Sequence, residues 1–143
     1  MTYHHILAAY DGSKAAKKAL EHAVAIASIG PNTKLTVAHV LYRPVFDIGS
    51  FAYGSSEEYM KQVEQFETSI MEHAREIIAP IPYSRIVVLT GNPVPAILDY
   101  AKDNHCDLIV MGSRGLGAIQ EWMLGSVSHH VVQKAQVPVL VVK

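Results

Sequence analysis

A single doubly wound α/β domain, with a five-stranded parallel sheet and helices on both faces, is the fold class that three features of this 143-residue sequence predict. Five short apolar runs recur with little polar alternation, the pattern of strands buried on both faces. Amphipathic helical patterns lie between them. The resulting order, βαβαβαβαβ, implies parallel strands joined by right-handed crossovers, with helices covering both faces of the sheet. The length, residues 1–143, is that of one domain, and a chain of this size buries about 68–70% of its unfolded surface, so one sizeable core is expected.

The first strand is ILAAY at residues 6–10. A helix follows, with Ala16, Ala19, Leu20, Ala23, Val24 and Ala27 on one stripe opposite Lys14, Lys17, Lys18 and Glu21, and with Ser13 as its N-cap. The second strand is KLTVAHVL at 34–41. The stretch after it, from Tyr42 to Ser55, is long and irregular; its glycines and aromatics suit a flap over a ligand, surface packing or a partner contact. Val63, Phe66, Ile70, Ala74 and Ile77 then form the core stripe of a second helix, opened by a Ser55–Glu58 capping box and closed at Pro80. RIVVL at 85–89 is the third strand. In GNPVP, Asn92 caps the third helix, Pro93 takes its first position and Pro95 still lies in the first turn. DLIVM at 107–111 is the fourth strand. The last helix begins near Gly125 and Ser126, runs through Val127, Val131 and Ala135, and stops before Pro138. VPVLVV, from Val137 to Val142, is the final strand.

The net charge of -1 and the half-hydrophobic composition demand neither a nucleic acid nor a membrane as partner. No apolar run approaches the ~18–20 residues that span a bilayer, and the start MTYHHILAAYDGS lacks the basic and apolar regions of a signal peptide. A cytoplasmic protein is expected. Cys106 is the lone cysteine, without a disulfide or CxxC partner, and reads as a small buried residue. The adjacent pairs His4/His5 and His129/His130 lack the i, i+4 geometry of a zinc helix, so no metal site is expected from the protein alone.

In open α/β sheets, ligands bind beyond the carboxyl ends of the strands. The first such turn carries Asp11, the second strand ends near Val40, and LTGNP after the third offers no acid, base or thiol. After the fourth comes MGSRGLGAIQEWMLGSVS. Its glycines let backbone N–H groups approach a ligand closely. Ser126 and Ser128 stand at a helix start, where unpaired amides and the helix dipole favour an anion, and Arg114 adds positive charge. Spacing alone leaves open a plainer alternative, in which these are turn glycines, an ordinary helix start and a solvated arginine. The loop is not a Walker A motif, having no GK[ST], and GSRGLG is not the GxGxxG dinucleotide fingerprint. No nucleophile–base group or carboxylate pair is indicated, so no catalytic residue is assigned.

The spacing Gly112, two residues, Gly115, nine residues, Gly125, Ser126 resembles the G-2x-G-9x-G-(S/T) nucleotide loop of the universal stress protein family, in its ATP-binding branch. ILAAYDGS, LTVAHV, GNPVPAILDYAKDNHCDLIVMGSRG and VPVLVVK are also similar to that family, so the resemblance spans the chain. It implies sheet order 3-2-1-4-5, which sets the turns after strands one and four side by side and brings Asp11 next to Gly112. It implies ATP as ligand, with or without Mg²⁺. Asp11 and the Val40 backbone would meet the adenine and nucleoside end, with backbone contact at Ala9, where some members have proline. Met111 and Gly112 would approach the ribose. Gly115, Gly125, Ser126, Val127 and Ser128 would hold the phosphates, with Arg114 nearby. Asp11 also suits an Asx-type cap of the turn into the first helix. The implied function is that of a nucleotide-dependent stress-response regulator or sensor, a homodimer joined through the final strand. The alternatives are a slow ATPase and a dimeric interaction protein whose glycine loop is structural.

Overall fold

The computed structural model describes residues 2–41, 57–114 and 125–143. Along the chain run β1 (His5–Ala9), α1 (Lys14–Ala27), β2 (Lys34–Leu41), α2 (Glu57–Ile78), β3 (Ser84–Thr90), α3 (Pro93–Asp103), β4 (Leu108–Gly112), α4 (Ser126–Lys134) and β5 (Val139–Val142). The strands form one five-stranded sheet in the order β3-β2-β1-β4-β5, parallel at every pairing. This is the fold class the sequence predicts, with the strand order the resemblance implies.

Strand side chains alternate between two apolar layers, which explains why the strand sequences are apolar throughout. Ile6, Ala8, Leu35, Val37, Leu108 and Val110 pack with the alanine stripe of α1 and with Ile70, Ala74 and Ile78 of α2. Leu7, Ala38, Ile109 and Met111 pack on the opposite face with Ile97 and Ala101 of α3 and Val131 of α4. Each fully buried Leu or Ile contributes about 1.5–3 kcal/mol relative to exposure. Among the described residues, no helix is long and apolar enough to cross a membrane.

The caps follow the sequence. Ser13 Oγ accepts from the Ala16 amide at 3.1 Å, and Asn92 Oδ1 accepts from that of Val94 at 3.1 Å. Ser55, half of the expected capping box, lies outside the described residues, as does the stretch from Tyr42 to Ser55. Phe66 departs from expectation: it is 54% exposed, whereas Ile70, Ala74 and Ile78 of the same helix are buried. Glu67 meets His39, two residues short of the end of β2. Of residues 57–66 only Val63 is half-buried, and the rest are exposed.

At the opposite end of the sheet, polar groups lock the strand starts together. Asp107 accepts from the His4 amide at 2.8 Å and the His5 amide at 3.0 Å. Burial works against its charge, but these hydrogen bonds and one from the His4 ring hold its carboxyl below the usual carboxylate range. The buried His5 ring donates from Nδ1 to the Asn104 carbonyl at 3.0 Å, since a carbonyl can only accept. Its Nε2, 2.8 Å from Thr36 Oγ1, then accepts from that hydroxyl. Arg85 Nε lies 3.4 Å from the same oxygen and its guanidinium donates to the Tyr100 hydroxyl at 2.8 Å. Burial first, then the Arg85 and Lys34 charges, push the His5 pKa down.

Candidate functional site

Because β1 and β4 are neighbours, the turns that leave their carboxyl ends meet. The β1–α1 turn is Tyr10-Asp11-Gly12-Ser13. Asp11 Oδ1 accepts from the Ser13 amide at 2.9 Å, the Asx-type cap that the residue type allows. Gly12 has φ +84°, and a Cβ there would come within 3.0 Å of Ile70 Cγ1, so both the backbone and the approach of α2 require glycine. Burial and the nearby Asp11 charge raise the Tyr10 phenol above its ordinary pKa. Ser13 Oγ, which caps α1, also lies within 3.4 Å of the Arg114 carbonyl and so ties this turn to the next.

Gly112 closes β4 directly against α1: a Cβ there would lie 2.7 Å from the Ala15 carbonyl carbon and 2.8 Å from the Ala16 nitrogen. Packing alone therefore demands this glycine, apart from any ribose. Ser113 then works as a junction. Its amide donates to the Val142 carbonyl at 2.7 Å, and its own carbonyl accepts from the Gly125 amide at 2.6 Å and the Ser128 hydroxyl at 2.8 Å. The start of α4 thus hangs from the end of β4. Ser128 is only 2% exposed, so what it can offer an anion is its amide rather than its committed hydroxyl hydrogen.

Gly125 is the N-cap of α4 and provides no side-chain cap, unlike Ser13 and Asn92 on their helices. The first intrahelical bond is from the His129 amide to the Gly125 carbonyl at 2.9 Å. The amides of Ser126, Val127 and Ser128 precede it, at the positive end of the helix dipole. Just after β4, and among the described residues, two buried polar atoms have no hydrogen-bond partner: Arg114 Nε and Ser113 Oγ. Both are donors that an anion oxygen would satisfy, so the residues present fit a phosphate group. Gly115 and Gly117 lie outside the described residues.

Ala9, Val40, Met111 and Val127 all line the α3/α4 face of the sheet, the first three at or next to the carboxyl ends of β1, β2 and β4. They provide an apolar floor on the same side as the α4 amides. Among the described residues, no group of three His, Cys, Asp or Glu could hold a metal ion. Sequence reasoning missed Ser113, whose role lies in its backbone, and His39, a histidine inside the apolar run KLTVAHVL whose partners are distant in sequence.

The model of the Universal stress protein family matches residues 2–143. A universal stress protein of Thermus aquaticus is 40% identical over 139 residues, covering 96% of this chain and 97% of its own. The solved structure of MJ0577 from Methanocaldococcus jannaschii superposes with a TM-score of 0.80 at 30% identity, covering 100% of this chain and 97% of that one. A universal stress protein from Archaeoglobus fulgidus, solved in complex with dAMP, shares the fold at a TM-score of 0.68 and 24% identity, over 100% of both chains.

Proposed function

The chain belongs to the universal stress protein family, and from that premise we propose that it binds an adenine nucleotide, ATP with or without Mg²⁺, in the crevice beyond β1 and β4. The observation that carries this reading is the junction of two turns. Ser13 reaches the Arg114 carbonyl at 3.4 Å, Ser113 holds the side-chain-free start of α4 at 2.6 Å, and the buried Arg114 Nε has no partner among the described residues.

In this reading Gly115, Gly125, Ser126, Val127 and Ser128 hold the phosphates, the last three through their unpaired amides, and Arg114 adds a charge-assisted donor. The Gly125 amide is committed to the Ser113 carbonyl, so Gly125 orients the cradle and, lacking a side chain, leaves the amides that follow it open. Met111 and Gly112 border the ribose, and Ala9, Asp11 and Val40 border the base and nucleoside. Bound ATP supplies the polyanion that these donors are arranged to accept. The protein then acts as a cytoplasmic, nucleotide-dependent regulator or sensor in the stress response, without efficient turnover, because no lysine is placed as a clamp on the β- and γ-phosphates. The Archaeoglobus relative solved with dAMP supports an adenine nucleotide as the ligand class.

The test starts with purified protein, denatured to release and identify any bound small molecule, followed by titration with ATP up to millimolar concentration. An adenine nucleotide that is released, or bound on titration, is expected; neither would leave a protein whose glycine loop is structural. Gly125 has φ -66° and ψ 162°, which any residue adopts, so Gly125→Val is expected to stay folded while its side chain blocks the amides and weakens ATP binding at least tenfold. Unchanged affinity would move the site elsewhere. Catalytic ADP release at the ~1–10³ s⁻¹ of ordinary enzymes would replace the sensor reading with an ATPase.

A further inference from the structure

On the sheet face away from the apolar floor, His39 of β2 is 5% exposed and lies one residue before Val40. Its Nδ1 is 2.9 Å from the Tyr10 carbonyl oxygen, and its Nε2 is hydrogen-bonded to the Glu67 carboxylate of α2. A carbonyl and a carboxylate only accept, whereas a neutral imidazole has a single N–H and would turn a bare nitrogen toward one of them. Two acceptors on one ring call for an N–H on each nitrogen, one donated to the Tyr10 carbonyl and one to Glu67.

One turn along α2, Ile70 packs on Gly12, where a Cβ would lie within 3.0 Å of its Cγ1. Helix α2 thus grips the turn on either side of Asp11, through Tyr10 before it and Gly12 after it. The Tyr10 carbonyl belongs to the same planar peptide as the Asp11 nitrogen, so fixing one fixes the plane from which Asp11 departs. We propose that His39, clamped by Glu67, is a positioning residue of the nucleotide site: it sets the direction of Asp11 and makes α2 and the base end of the crevice one mechanical unit. This rests on the adenine-nucleotide reading above.

The experiment uses the full chain with ¹⁵N-labelled histidine. Wild type is expected to show both His39 ring nitrogens protonated. Glu67→Gln, whose amide can donate to Nε2, is expected to leave that nitrogen bare and to weaken ATP binding about tenfold, with cooperative thermal unfolding retained. It is also expected to lower the hydrogen-exchange protection of the Ser13 amide, which bonds to Asp11 Oδ1 at 2.9 Å. A wild-type ring with one bare nitrogen overturns the proposal. So does a folded Glu67→Gln protein whose ATP affinity and Ser13 protection both stay within twofold of wild type. If wild type binds no adenine nucleotide, it is the functional reading that fails; the ring and Ser13 signals then decide separately whether His39 holds Asp11.

Discussion

Gly112 has a more crowded Cα than Gly12 across the turn. The atoms that a Cβ would meet, at 2.7 and 2.8 Å, are backbone atoms of α1, which cannot rotate aside as a side-chain tip can. Gly112→Ala must push α1 off β4 and is expected to lower stability by about 1–3 kcal/mol, the usual range for overpacking. The urea-unfolding midpoint in the absence of nucleotide measures it, and a midpoint equal to wild type would show that α1 yields freely. Gly12 is constrained differently, by a φ of +84°. These residue-scale facts were unevenly legible in the sequence. Ser13 and Asn92 could be read as caps because a cap bonds to an amide two or three residues away. The packing demand on Gly112 could not, because its contact is about a hundred residues distant along the chain. His39 escaped notice for the same reason, since Tyr10 and Glu67 become its neighbours only in the fold.

At the scale of elements, the apolar stripes could be read but not where they stop being covered. Periodicity placed Phe66 with Ile70 and Ala74, and the helix indeed runs through all three. What it could not show is where that stripe loses its cover: Phe66 is exposed, while Ile70 and Ala74 are buried. The locked starts of β1, β2 and β4 lead to a pH dependence. His5 is held neutral, accepting from Thr36, with a pKa below its ordinary value of about 6.5. Below that pH the unfolded chain binds a proton that the folded chain resists, so this contribution is full above about pH 6.5 and is lost as pH falls toward the folded pKa. Asp107 is also depressed, but its contribution is lost only below about pH 4, where an ordinary aspartate protonates, so the two windows separate. Unfolding midpoints measured from about pH 7.5 down to 5 are expected to fall in wild type and to fall less in His5→Gln, which cannot titrate. Equal slopes in the two proteins would place the acid sensitivity elsewhere.

At the scale of the molecule, the strands could be read from apolar runs, but their order came from the family resemblance. Periodicity shows that a strand is buried on both faces, and says nothing about which strands lie beside it. The observed order leaves β5 with β4 on one side only, which makes it an edge strand. Its carbonyls at Pro138 and Val142 accept from the Ile109 and Ser113 amides of the β4 segment, at 3.0 and 2.7 Å. Since successive residues of a strand turn their backbone groups to opposite sides, Val139 and Val141 direct theirs to the open edge. The homodimer that the resemblance implies would pair these edges across a two-fold axis. Proline is tolerated on an edge strand where the lost N–H faces outward. Val141→Pro therefore removes an outward donor while leaving the bonds to β4 in place. Wild type is expected to sediment at twice the 15.7 kDa chain mass, and Val141→Pro as a folded monomer with an unchanged far-ultraviolet spectrum. If the variant stays dimeric, the two copies meet through another face; if wild type is monomeric at tens of micromolar, the edge is left unpaired and the protein acts as a single chain.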